Sequence, residues 1–216
     1  MHIHTRYEVS NNAGQDICDI VNNEGFDFLL VGSGISMSDS PDDIAATRYR
    51  TSFYNRYFKR FKAPESWFYP GALLKDKTKM FIARSNCDVG VFINRNFVKA
   101  TNTLVVISSE EDLFLLDYTR TLLKATHGSV GIVAKMSTTT PGHDQIFKEL
   151  WDFVSSIPQT QLLPDKDLTP GLFNSYNFML IGYNTWNDVS EHRKEALQKM
   201  PSTLILNKNK RSSSDN

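Results

Sequence analysis

Three places in this chain carry residues that could do chemistry, and each directly follows an apolar run. Ser108-Ser109-Glu110-Glu111-Asp112 follows Leu104-Val105-Val106-Ile107, Gly32-Ser33-Gly34 follows Phe28-Leu29-Leu30-Val31, and Gly182 follows Phe178-Met179-Leu180-Ile181. A buried strand that ends in small or hydroxyl residues is how an α/β sheet places backbone N–H groups and short side chains around a ligand, outside the carboxyl ends of its strands. Gly32, Ser33, Gly34, Ser108, Ser109 and Gly182 are therefore the pocket candidates. The chemistry they fit is binding rather than bond-making. Three carboxylates directly after Ser109 would repel a phosphate, and they are accounted for by negative charge in the first turn of a helix.

No other group assembles into a catalytic set. His2 and His4 alternate near the N-terminus, His127, His143 and His192 stand singly, and none has a partner at metal-ligand spacing. No serine, histidine and aspartate occur in a recognisable catalytic order. Cys18 and Cys87 do not make a disulfide framework and fit a reducing cytosol. Trp67, Trp151 and Trp186 read as core or interface rings. The expectation is no catalytic residue, no metal and no cofactor.

The elements that position the candidates follow from the hydrophobic pattern. Leu104 to Ile107 is a continuous aliphatic run suited to a strand buried on both faces of a parallel sheet, and Leu115, Leu116, Leu122 and Leu123 return at helical spacing after it. Before it, Thr5 to Ser10 reads as a strand, Asp16 to Asn23 as a helix, Phe26 to Val31 as a buried strand and Val89 to Ile93 as another. After it come strands at Val130 to Ala134, Gln161 to Leu163, Phe178 to Ile181 and Thr203 to Leu206, with helices at Asp144 to Ile157 and Asp188 to Lys199. Tyr49, Phe53, Tyr57 and Phe61 recur every four residues within Ser40 to Lys62. Arginines and lysines lie among these rings, but an amphipathic helix with its rings inward explains them better than nucleic-acid stacking.

Composition narrows the function classes. Among 216 residues, 24 Lys and Arg balance 24 Asp and Glu, so no overall field recruits nucleic acid or an anionic membrane. No apolar run approaches the roughly 20 residues needed to cross a bilayer. The grammar also repeats: FDFLLVG at Phe26 to Gly32 returns as YNFMLIG at Tyr176 to Gly182, and each leads through helical sequence to a short strand, VGVFIN or STLILN. A duplicated α/β unit is the simplest account. The second copy has five strands and the first only the counterparts of its last three.

On four motifs the chain resembles the cytoplasmic C-terminal region of bacterial monovalent cation:proton antiporters, the sodium/hydrogen exchanger family related to plant cation/proton exchangers. They are FDFLLVGSGIS (Phe26 to Ser36), SNCDVGVFINRNF (Ser85 to Phe97), LVVISSEEDLFLLDYTRTLL (Leu104 to Leu123) and MPSTLILN (Met200 to Asn207). The resemblance implies a doubly wound, mostly parallel α/β sheet of tandem universal-stress-protein-like halves. Residues 1–98 would be a truncated first half with a helical insertion at 40–85, residues 99–207 a complete second half, and residues 208–216 a disordered tail. It implies a non-catalytic regulatory domain on the cytosolic face of the membrane, with the antiporter's membrane domain or its dimer mate as partner. A stand-alone nucleotide-binding sensor or enzyme of the same fold stands as the alternative, with a homodimer mate or a small-molecule nucleotide as the other partners considered.

Against the sensor, universal stress proteins that bind ATP carry Gly-x-x-Gly, about nine residues, then Gly-Ser or Gly-Thr, which puts N–H groups on the phosphates. Neither half keeps those glycines. The Gly32-Ser33-Gly34-Ile35-Ser36 run is similar to the glycine turn of sirtuin-type enzymes, but it lacks a first-strand context and an acidic residue about 20 positions on. In universal-stress-like dimers the fifth strands pair antiparallel. Here Val89 to Ile93 and Thr203 to Leu206 are expected to do so within one chain, covering each other's edges.

Overall fold

The computed structural model describes residues 13–32, 79–135, 143–164, 168–192 and 199–209. The expected strand at Thr5 to Ser10, the helix at Ser40 to Lys62, and Ser33, Gly34, His2, His4 and Trp67 lie outside the described residues.

The chain opens with α1 (Ala13–Glu24), which buries Cys18 and Val21 and ends at Gly25, whose φ of 68° is left-handed. Strand β1 (Phe28–Gly32) follows, then residues 79–84 in helical form and β2 (Asp88–Ile93). Strand β3 (Asn102–Ile107) leads through a 3-10 turn at Glu110–Asp112 to α2 (Leu115–Thr126) and β4 (Ser129–Ala134). Helix α3 (His143–Ser156), β5 (Thr160–Pro164), the short α4 (Pro170–Phe173), β6 (Phe178–Gly182), α5 (Tyr183–His192) and β7 (Ser202–Asn207) complete it. Thr169 caps α4 by accepting from the Leu172 N–H at 3.3 Å, with Pro170 behind it in the first turn, where a missing N–H costs nothing.

All seven strands join one sheet in the order β1-β2-β7-β6-β3-β4-β5. Every neighbouring pair is parallel except β2 and β7, which are antiparallel. Strand β3 lies between β4 and β6, and Leu104, Val105, Val106 and Ile107 are each 0% exposed, as their unbroken aliphatic run requires. Alternate residues face two cores. Leu104, Val106, Met179, Ile181, Val91 and Ile205 pack with Trp186 and Val189 of α5 on one side. Val105, Ile107, Leu180 and Leu206 pack with Leu115, Leu116 and Leu123 of α2 and Ile146 and Leu150 of α3 on the other.

The β2–β7 seam has internal symmetry. Val91 lies opposite Ile205, Gly90 opposite Leu206 and Phe92 opposite Leu204. Exchanging Asp88–Ile93 with Ser202–Asn207 in order maps this register onto itself about the Val91–Ile205 pair. The same exchange carries β1 onto β6: Leu30 is in register with Gly90 as Leu180 is with Leu204. The sequence echo is thus a local pseudo-twofold of β1-β2 onto β6-β7, and the two short strands pair within one chain as expected.

Hydrogen bonds close the seam. The Tyr118 hydroxyl of α2 donates to Asp88 Oδ2 at 2.8 Å, and the Asn209 N–H donates to Asp88 Oδ1 at 2.7 Å. Asn209 Nδ2 also donates to the Ser85 carbonyl at 3.0 Å. Burial, then the hydrogen bond to Asp88 and its charge, raise the Tyr118 phenol well above the ordinary tyrosine range.

Four expectations are corrected. Strand β1 is not buried on both faces: it borders only β2 among the described residues, and Leu30 is 57% exposed. The acidic run does not open a continuous helix, because the 3-10 turn ends before α2 begins. Helix α5 starts at Tyr183, directly after Gly182, not at Asp188. Asn209 is held against Asp88 rather than belonging to a disordered tail. Of the tryptophans read as core or interface rings, Trp186 is buried and Trp151 is 60% exposed on α3, which is no correction.

Amide exchange at Val91 and Ile205 should be among the slowest in the molecule, and Ile205→Ala should cost about 2–5 kcal/mol in urea unfolding. Exchange at those amides as fast as at Lys208 would contradict the seam. Tyr118 contributes as a neutral donor, so its stabilisation is fully present below the unfolded phenol's value near pH 10 and is lost as pH rises above it. Tyr118→Phe should cost about 1 kcal/mol at neutral pH and flatten the alkaline loss of stability.

Candidate functional site

The geometry that matters begins where β3 and β6, parallel neighbours, end together. The chain leaves β3 toward α2 on one face and leaves β6 into α5 on the other, which opens a crevice between their carboxyl ends. Ser108, Ser109 and Gly182 converge at that point. Gly32 does not, because β1 runs antiparallel to β6 and ends at the opposite end of the sheet.

A fourth residue, Asp112, fills the crevice. It is 2% exposed, and its Oδ2 accepts from the Ser108 N–H at 2.9 Å, the Ser109 N–H at 3.3 Å, the Ser108 hydroxyl at 3.2 Å and the Thr185 hydroxyl at 2.6 Å. The Ser108 and Thr185 hydroxyls also contact each other. Every group around Oδ2 can donate, which matches an acceptor-only carboxylate. Its other oxygen, Oδ1, lies so close to Gly182 that a Cβ there would overlap it. Glycine at 182 is therefore required by the approach of Asp112.

The 3-10 turn makes this possible. Asp112 stands three residues after Ser109, the spacing at which a helix-start side chain folds back on its own first N–H, and the Asp112 N–H donates to the Ser109 carbonyl at 3.1 Å. Thr185, 2% exposed in the first turn of α5, contributes from the far wall, 73 residues away. Glu110 and Glu111 remain exposed on the rim, and Glu111 accepts from Asn184 Nδ2 at 2.6 Å.

Beside this network lies an open cleft of about 410 Å³, walled by Phe114, Tyr183 and Asn184 and, across from them, Leu206 to Asn209. It can hold a small molecule, and Asp112 is the one member of the network that lines it.

Sequence reasoning found Ser108, Ser109 and Gly182 and missed what unites them. Asp112 was read as one of three carboxylates in the first turn of a helix, although its place in Ser109-x-x-Asp112 was the available signal. Nothing local marks Thr185. Neither cysteine offers chemistry at the crevice: both are buried free thiols, and burial pushes Cys87 up. Among the described residues, no three His, Cys, Asp or Glu side chains gather closely enough to hold a metal ion. No described helix is long and apolar enough to cross a membrane.

The sequence matches no protein-family model and no curated protein. The structure is similar to that of a universal stress protein from Archaeoglobus fulgidus DSM 4304, with a TM-score of 0.52 at 12% sequence identity. The match covers 92% of this chain and 66% of that one, so the chain spans just under two thirds of its neighbour's length. The fold is that of a universal stress protein: a doubly wound, mostly parallel α/β sheet.

Gly182→Ala should destabilise the protein by about 1–3 kcal/mol through overlap with Asp112. In Asp112→Ala the same glycine change should cost much less, and a double-mutant cycle of chemical denaturation should read a coupling of at least about 1 kcal/mol. Additive effects would contradict the close approach.

Proposed function

We propose that the chain is a non-catalytic regulatory module, the cytosolic α/β region of a monovalent cation:proton antiporter whose membrane domain is its partner. The observation that carries the non-catalytic, non-nucleotide part is the buried Asp112. The N–H groups and hydroxyls that would receive an anionic ligand at the β3–β6 crevice instead hold the protein's own carboxylate. A phosphate entering there would have to displace Asp112 or share its donors with a like charge, and both are unfavourable. Gly182 is followed by Tyr183, Asn184 and Thr185, with no glycine to let a phosphate approach the backbone.

The antiporter context is supported by the four sequence motifs, spread over most of the chain, and is consistent with a universal-stress-like fold. In this reading the module acts through shape. The continuous sheet makes one body of the two α/β units, and such a body transmits movement between whatever is attached to its ends.

A second reading, a small-molecule sensor, is favoured by one observation, the open cleft of about 410 Å³ beside Tyr183 and Lys208. The two separate in one experiment. Titration calorimetry and thermal shift with ATP, AMP and cyclic dinucleotides should give no saturable binding, whereas a ligand at 100-fold over its Kd would stabilise the fold by roughly 3 kcal/mol. A micromolar dissociation constant for ATP would overturn the regulatory reading in favour of the sensor. The transporter assignment has its own test in the reading frame upstream of Met1. About a dozen apolar runs of roughly 20 residues would support it, and a soluble, unrelated domain there would end it.

A further inference from the structure

Asp112 is held as a bound anion is held. Among the described residues no basic side chain pairs with it. Its charge is met instead by four uncharged donors on Oδ2: the Ser108 and Ser109 N–H groups and the Ser108 and Thr185 hydroxyls. Preorganised N–H and hydroxyl dipoles that converge on one oxygen can capture a small anion without a counter-ion. Left empty, the same donors are a liability, because a buried N–H without an acceptor is costly.

The shape of the crevice selects among anions. Oδ1, the second oxygen, sits where a Cβ on residue 182 would stand, so the space has the outline of a planar group with two oxygens. A tetrahedral phosphate carries further oxygens that this outline does not accommodate, and its second charge would face Glu110 and Glu111, exposed on the rim. A carboxylate monoanion meets neither objection. Access is defined as well. The open cleft of about 410 Å³ touches Asp112, whereas Ser108, Ser109 and Thr185 do not line it, so Asp112 stands between the cleft and the donors.

We propose that the β3–β6 crevice is a binding site for a small monocarboxylate, which the chain keeps shut by seating its own Asp112 there. The proposal rests on the non-nucleotide reading of the crevice and adds the class of ligand that its donors accept. The contact is autoinhibitory. A carboxylate arriving through the cleft competes with one tethered by the 3-10 turn at Glu110–Asp112, whose effective concentration at the donors is high. Its capture releases Asp112, and with it that turn, from Thr185 at the start of α5.

The test removes the plug and offers formate, the smallest carboxylate, as the probe. In the full 216-residue chain, Asp112→Ala should lose stability and regain it saturably with sodium formate. Its melting temperature should rise by about 3 °C or more at about ten times the dissociation constant. Isotope-labelled formate observed by NMR should broaden saturably with Asp112→Ala and not with the wild type over the same range. Adding Thr185→Val, which removes one donor, should weaken formate binding about tenfold. Should Asp112→Ala not fold alone, recovery of folded protein as formate is added reads the same equilibrium. The proposal is overturned by no saturable formate effect, an equal effect of sodium chloride, equal formate binding by the wild type, or no loss with Thr185→Val. Tighter binding of phosphate or ATP than of formate by Asp112→Ala overturns it too. The regulatory reading is decided by ATP titration of the wild-type chain, so the two can fail separately.

Discussion

The structure depends on one antiparallel contact between two strands that would otherwise both be edges. Strands β2 and β7 are short, aliphatic and nearly free of charge, and each alone would leave a row of N–H and C=O groups open to other chains. Placed against each other about Val91 and Ile205, they satisfy those groups and merge two parallel sheets into one. Val91 and Ile205 share the apolar face that also holds Leu104, Val106 and Ile181, so seam and centre form a single core.

That seam also decides which chain ends meet. Because β2 runs against β7, the start of β2 lies beside the end of β7, and Asp88 can hold Asn209 and Tyr118 together. The cleft wall formed by residues 207–209 is therefore fixed by an aspartate more than a hundred residues earlier. A parallel arrangement of the same strands would have sent Asp88 to the other end of the sheet.

The crevice between β3 and β6 shows how a fold associated with ligand binding can use its donors internally. Topology alone gathers small residues, N–H groups and helix starts at the carboxyl ends of the strands. Here a 3-10 turn, rather than an immediate α-helix, swings Asp112 back into that space, and Thr185 closes on it from α5. The result ties together the two loops that would have to separate for a ligand to reach the base of the crevice.

Much of this was legible in the residues themselves. An unbroken aliphatic run such as Leu104 to Ile107 has no face that tolerates water, so its central, doubly covered position follows from composition. The echo of FDFLLVG in YNFMLIG announced the repeat, while the seam was expected from the resemblance to universal-stress-like dimers together with two short apolar strands needing edge cover. Burial of single residues was not legible, because it depends on partners distant in the chain. Leu30 and Leu180 occupy the same place in the same motif, and only the neighbour beside each strand makes one solvent-exposed and the other core. Asp112 looks like Glu110 and Glu111 in sequence. It differs because the turn geometry and a threonine 73 residues away offer it four donors, a coincidence in space that no local pattern encodes.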